Sequence, residues 1–301
     1  MTLHLVETVG VPPHRSGAFD HGDVQLADGR VFVAHTATGT VEVIDGERGV
    51  HQATVLGCPE ASGVLCAQDE AVVFAAARGA GRVRVLDATS NRPLRDVSVG
   101  PKPNGLAWDS RRKHLLVADV QDFRARLVDL GTGEIVRETE LPGRPRWCAY
   151  DPGADRFLVN IREPACVALL TAGTLDRAGR WAVSAAGPHG LDLDLAGARA
   201  FVACDGGRVS ILDLNNGREI GSVEIAGEPD AIWYNPARAR LYVAIGRPGM
   251  IDVLDTLGVT RVEQVITEEG AHTTAFDPIR QLLYAFLPRS CSTAVYVERA
   301  G

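Results

Sequence analysis

One step length, 42 residues, recurs along this chain and constrains its fold more than any other feature. A short β-type run closed by Asp occupies residues 41–45, 83–87, 125–129, 209–213 and 251–255, and residues 167–171 repeat it with Thr171 in place of the Asp. The closing positions fall at 45, 87, 129, 171, 213 and 255, and one more step lands at 297, inside the β-type run 293–297. Seven steps of 42 make 294, close to the full 301 residues. A fixed period of this length marks a repeat architecture in which each copy is one supersecondary unit that buries its faces against its neighbours.

Each copy carries four strand signals in the same order. A short apolar run such as 105–108 is closed by a turn, and three of these turns read Asp151-Pro152, Asn235-Pro236 and Asp277-Pro278. Asp or Asn followed by Pro favours a type I turn. A second run such as 241–244 follows, then the Asp-closed run, then a Gly-containing turn such as 214–217 and a fourth run such as 219–223. Helical periodicity is absent. Four antiparallel strands per unit in radial repetition predict an all-β, seven-bladed β-propeller. The seventh copy runs out after its third strand, and the β-type segment Leu3 to Val9 precedes the first full copy. That segment is therefore expected to supply the outer strand of blade 7, so that residues 1–301 form one propeller.

Composition narrows the function classes. Apolar residues make up 46% and charged residues 23%, enough to build a core. No run approaches eighteen apolar residues, so no membrane-spanning helix is expected. Residues 1–10 have neither a basic n-region nor an apolar h-region, which leads to the expectation of a cytoplasmic protein. The net charge is −7 with no Lys/Arg block, which argues against nucleic acid and anionic membrane as partners and leaves a small-molecule ligand. Cys58, Cys66, Cys148, Cys166, Cys204 and Cys291 form no C-x-x-C pair and read as reduced, buried thiols. Nothing in the sequence fixes an oligomeric state, and a monomer is compatible with it.

The runs 31–34 with 43–45, and 241–244 with 253–255, resemble the YVTN repeat of YncE-like seven-bladed propellers. The resemblance spans essentially the whole chain. It implies the fold and leaves the activity open, because that family shares no single catalytic signature.

In a propeller the first strand of every blade faces a central channel, so the residue that opens it is expected to point at one axial site. Five such openings follow a proline: Pro59-Glu60, Pro103-Asn104, Pro145-Arg146, Pro188-His189 and Pro229-Asp230. The others read Asp20-His21 and Ala271-His272. The expected ring is therefore His21, Glu60, Asn104, Arg146, His189, Asp230 and His272. Eight histidines in 301 residues would place about 0.2 of one in seven random positions (7 × 8/301), and three are there. Imidazole and carboxylate groups converging from separate strands suit a divalent transition metal such as Zn, Mn, Fe, Ni or Cu. His21, His189, Asp230 and His272 are the expected ligands, Glu60 the expected general base and Arg146 the expected holder of a substrate anion. Pairing of the same groups in a water-filled polar channel is the alternative. The loops after each second strand should surround this mouth with His35, Arg78, Asp119, Arg162, Asp205, Arg247 and Arg289. Guanidinium groups there suit a carboxylate or phosphate, so His35, Arg78, Arg162, Arg247 and Arg289, with Asn104, are candidate substrate contacts.

Two further resemblances concern chemistry. The axial histidines are similar in ring location to those that hold the catalytic zinc in the amidating lyase propeller, and the unit 188–191 is similar to inner-strand openings of streptogramin lyase propellers. Together they imply a metal-dependent hydrolase, a lactonase or a lyase acting on a small anionic molecule at the channel mouth. The other reading is a non-catalytic propeller that binds a small ligand or a protein. Ser16, Ser184 and Ser290 lack a G-x-S-x-G context, which disfavours a serine hydrolase. No phosphate-binding loop is present. His14 lies in the Pro-rich lead-in and reads as solvent-exposed or as a cover over the mouth. His4, His51 and His114 read as surface residues. The four tryptophans are expected between blades, with Trp147 placed to reach the channel.

Overall fold

The computed structural model describes residues 2–14 and 18–299, so Ser16 lies outside the described residues. Seven sheets, each of four antiparallel strands, carry the chain. Among the described residues the one helical element is a single 3-10 turn at Arg78–Ala80. The recurring Asp is explained by turn chemistry. Oδ1 of Asp45 accepts the backbone N–H groups of Glu47 and Arg48, Asp87 those of Thr89 and Ser90, and Asp255 those of Leu257 and Gly258. The side chain thus closes the hairpin between the third and fourth strands, which is why Asp recurs on the 42-residue step in five of the seven blades. The Asp-Pro turn works the same way, with Asp151 Oδ1 accepting from Gly153 and Ala154.

The ring closes as the repeat count requires. Thr2–Gly10 pairs antiparallel with Ser292–Arg299, so the first strand of the chain is the outer strand of the last blade. Thr273 Oγ1 donates to the Phe19 carbonyl and Arg280 pairs with Glu47, tying blade 7 to blade 1. The apolar side chains bury between sheets. One cluster joins Leu116 and Leu127 of blade 3 to Phe157 and Val159 of blade 4, and another joins Val24 and Val31 of blade 1 to Tyr284 and Phe286 of blade 7. Burying side chains of this size stabilises a fold by roughly 1.5–3 kcal/mol each. All six cysteines are unpaired, five of them buried and Cys291 half-buried.

The first strand of each blade packs against the first strands of its neighbours and faces the axis: Phe19–Gln25, Ala61–Ala67, Pro103–Asp109, Pro145–Asp151, Pro188–Asp194, Glu228–Asn235 and Thr274–Asp277. The approach is backbone to backbone. A Cβ at Gly105 would collide with the Arg146 carbonyl, and one at Gly190 with the Asp230 carbonyl. Glycine at these places lets adjacent blades close around the axis.

Candidate functional site at the channel mouth

The mouth is shaped by a bulge near the start of most inner strands. In blade 1 Phe19 pairs with His35 and the next pair is Gly22 with Val33, so Asp20 and His21 face one residue of the neighbouring strand. The same interruption leaves Ser62, Arg146, His189 and Asp230 as the first bulge residues of blades 2, 4, 5 and 6. Counting back two residues from the pairs Leu106–Val117 and Thr274–Ala285 adds Asn104 and His272. Register therefore gives the ring as Asp20, Ser62, Asn104, Arg146, His189, Asp230 and His272.

Two positions differ from the expected ring. Glu60 lies outside the inner strand, in a turn with φ of 49°, and its half-exposed carboxylate pairs with Lys102 at 2.9 Å. The proline before it belongs to that turn, not to a strand opening. It is Ser62 that takes the ring place, and its hydroxyl donates to the Pro103 carbonyl at 3.0 Å. Glu60 is thus not placed as a base at the axis. His21 is the second bulge residue, with Asp20 ahead of it; its ring is buried and stacks on Trp147 at 4.3 Å. Trp147 stands edge-on to Trp233 at 6.0 Å, so these rings cross the channel together.

Blades 5 to 7 bring together the three remaining expected ligands. His189 Nδ1 meets Asp205 Oδ1 at 2.9 Å, and its Nε2 lies 3.3 Å from Asp230 Oδ1. His272 Nδ1 meets Asp230 Oδ2 at 2.8 Å, and Trp147 Nε1 donates to Asp230 Oδ1 at 2.9 Å. Burial alone would raise the Asp230 carboxyl, but the charge of His189 and the hydrogen bond and charge of His272 hold it well below the usual range. Asp205 is likewise lowered, the His189 contact and Arg162 outweighing its burial. His272 is raised: burial opposes its charge, and the Asp230 hydrogen bond and charge prevail. His21 is lowered by burial, which outweighs the attraction of Asp20 and Asp230.

His189, Asp205, Asp230 and His272, but not His21, border a cavity of about 880 Å³, a size suited to a small-molecule ligand. Arg146, His189, Asp230 and His272 line it together with Arg162, Arg247 and Arg289 from the surrounding loops. Asp205, Glu228, Glu269 and His14 also contribute, and sequence reasoning had given Glu228 and Glu269 no role. Arg162 pairs with Asp205 and Arg289 with Glu269. Arg146 is different. Its guanidinium is half-buried, its Nε has no hydrogen-bond partner, and no carboxylate stands within ion-pair distance among the described residues. Burial, with Arg144 and Arg162 nearby, lowers its tendency to hold charge despite Asp230 and Asp205.

Three of the candidate substrate contacts do not line this cavity. His35 is fully buried at the end of its strand, and Asn104 is buried and accepts from Arg78 Nη1 at 2.9 Å. Arg78 also lies 3.6 Å from Asp20 and 3.7 Å from Glu60, so protein acceptors surround it. Asp119 is buried as well, and its Oδ2 accepts the backbone N–H of Lys102. His51 is not a simple surface residue: its Nε2 reaches the buried Glu42 at 2.8 Å. No group of three or more His, Cys, Asp or Glu converges at metal-binding distance among the described residues.

No family model and no curated protein matches the sequence. Solved structures match in fold. A chain of the Kuenenia stuttgartiensis hydrazine synthase superposes with a TM-score of 0.86 at 15% sequence identity, covering 96% of this chain and 98% of that one. As 1773 solved chains match this widely used architecture, the likeness speaks for the seven-bladed fold and not for an activity.

Proposed function

We propose that the protein is an enzyme of the lyase or hydrolase type that takes a small anionic molecule into the cavity bordered by blades 4 to 7. One observation carries this reading: Arg146 presents a half-buried guanidinium with no carboxylate at ion-pair distance among the described residues. A cation held this way calls for an anionic partner, and a carboxylate on the ligand matches its donor geometry. Arg247, in the same lining, carries no ion pair among the described residues and extends the anion-holding wall.

His272 supplies proton chemistry. Asp230 favours its charged form, so near neutral pH it is suited to donate a proton to a leaving group or a developing oxyanion. His21, buried and held neutral, is suited to packing against Trp147 instead. Opposite environments around nearby titratable groups are how one site separates such roles.

A divalent transition metal is the second reading, favoured by the carboxylates that back both imidazoles. Asp205 on Nδ1 of His189 and Asp230 on Nδ1 of His272 would orient the two Nε2 atoms as ligands. A metal there would polarise a substrate oxygen. The third ligand is the weak point of the fit, because Asp230 already commits both oxygens to Trp147, His189 and His272.

Calorimetry with acetate, succinate, citrate and inorganic phosphate tests the reading. At least one of these should bind, and Arg146→Met should weaken it by about tenfold or more. Binding by none of them, or equal binding in the variant, would overturn it. Binding without turnover of any lactone, ester or hydroxy acid offered would favour the non-catalytic propeller. Metal analysis of untagged protein decides the metal.

A further inference from the structure

Behind the cavity wall, blade 1 holds a chain of titratable groups that the proposed site does not use. Glu42 is fully buried and accepts four hydrogen bonds: from Thr40 and Thr54 hydroxyls at 2.6 Å each, and from His35 and His51 ring nitrogens at 3.1 and 2.8 Å. Burial alone would raise this carboxyl, yet those bonds hold it at about 2, so it is ionised at neutral pH. An ionised carboxylate accepts only, so a neutral His35 carries its hydrogen on Nδ1 and leaves Nε2 of that ring as an acceptor. His35 Nε2 meets Nδ1 of His14 at 2.6 Å. His14 must therefore carry its hydrogen on Nδ1, which makes Nε2 the basic nitrogen of a residue that lines the cavity.

We propose that His14 is a general base of this cavity, and that His35 and Glu42 form the buried relay that makes it one. This rests on the reading of the cavity as a catalytic site for an anion. A proton leaving the ligand bonds to His14 Nε2, the Nδ1 proton of His14 passes to His35 Nε2, and His14 stays neutral throughout. The positive charge settles on His35, 3.1 Å from the Glu42 carboxylate, where low-dielectric surroundings strengthen the attraction. His51 and the two threonines hold Glu42 in place from its other sides. Around His14 itself stand Cys291, whose Sγ lies 3.8 Å from Nδ1, and the ring of Phe19. Cavity-lining Arg289 and Glu269 pair with each other. With Arg146 on the ligand anion and His272 as the acid, a base at His14 suits proton abstraction beside a carboxylate followed by loss of a leaving group.

The decisive measurement needs no ligand. Long-range ¹H–¹⁵N spectra of the wild-type protein should show His14 and His35 both as Nδ1–H tautomers, with ¹⁵N–¹⁵N coupling between His14 Nδ1 and His35 Nε2. An Nε2–H tautomer at His14, or no coupling, would overturn the relay even if carboxylates bind as proposed. Diethyl pyrocarbonate provides a second reading. Carbethoxylation of His14, followed by peptide mass spectrometry, should slow about tenfold in a folded Glu42→Gln variant because the relay loses its charge. An unchanged rate would also overturn the proposal. Absence of carboxylate binding with the relay intact would instead remove the catalytic reading on which it rests.

Discussion

The two sides of the channel mouth are built from the same strands yet handle an arginine in opposite ways. On the side of blades 1 to 3, Arg78 reaches Asn104, Asp20 and Glu60, and this half is closed by its own contacts. On the side of blades 4 to 7, Arg146 of an inner strand borders an open cavity with an unpartnered Nε. The repeat supplies seven equivalent places. What distinguishes the two halves is whether the polar groups there satisfy one another or leave a demand that a ligand can meet.

The largest way to break this contrast is to remove the frame that holds it. Deleting Thr2–Gly10 strips the outer strand from the blade that carries His272 and exposes the edge of Ser292–Arg299. Calorimetric unfolding should lose its single cooperative transition; an unchanged melting curve would show that ring closure does not depend on this strand.

Next comes a direct exchange of the two arginines' surroundings. Arg78→Met should destabilise the fold by about 1–3 kcal/mol in urea unfolding, since Asp20 and Asn104 lose a buried donor. Arg146→Met should leave stability unchanged or slightly higher and remove anion binding instead. Equal stability losses in both variants would mean that Arg146 is a structural arginine after all.

The 42-residue step made the fold legible because turn chemistry repeats: Asp45, Asp87, Asp129, Asp213 and Asp255 close the same hairpin whatever the blade does elsewhere. The site was only partly legible. Arg146, His189, Asp230 and His272 were found because a proline precedes three of them and counting carried over to the fourth. Asp20 was missed because a bulge shifts register by one residue and leaves no fixed mark in a strand sequence, and Ser62 because the guiding proline, Pro59, belongs to the turn before the strand. The pairing of His14 with His35 joins a lead-in segment to a strand end 21 residues later, a contact that no local period predicts.

A smaller effect separates the mouth from the channel below it. Asp23 of blade 1 and Asp192 of blade 5 each accept a backbone N–H from the next blade, of Cys66 at 2.8 Å and of Tyr234 at 2.6 Å. Burial pushes these carboxyls up, to about 7 and about 6, and Asp192 opposes the charge on Asp23 across the ring. Because both folded values lie above the ordinary 3.8, the fold holds extra protons between the two limits. Stability from this source is highest below pH 4 and declines as pH rises through 6 to 7. Asp23→Asn keeps an acceptor oxygen, so it should raise stability at pH 8 by on the order of 2 kcal/mol and leave pH 4 nearly unchanged. A variant that is less stable at pH 8 would show that the charge is needed there.

The mouth's own pH dependence should be smaller still, because two histidines pull against each other. His272 is raised in the fold, so its contribution is complete below about 6.5 and is lost as pH climbs through the raised value. His21 is lowered, so the fold resists its protonation and loses stability as pH falls through 6.5. The two slopes have opposite signs and fall on opposite sides of pH 6.5, so this part of the stability should peak near that pH. Asp230→Asn removes the partner that raises His272, and ring-proton NMR should then place that histidine below its wild-type midpoint. The stability that the wild type loses as pH climbs above 6.5 should then be smaller in the variant. A His272 midpoint that does not move would show that Asp230 is not what sets its charge, and the acid assigned to the open half of the mouth would have to be sought elsewhere.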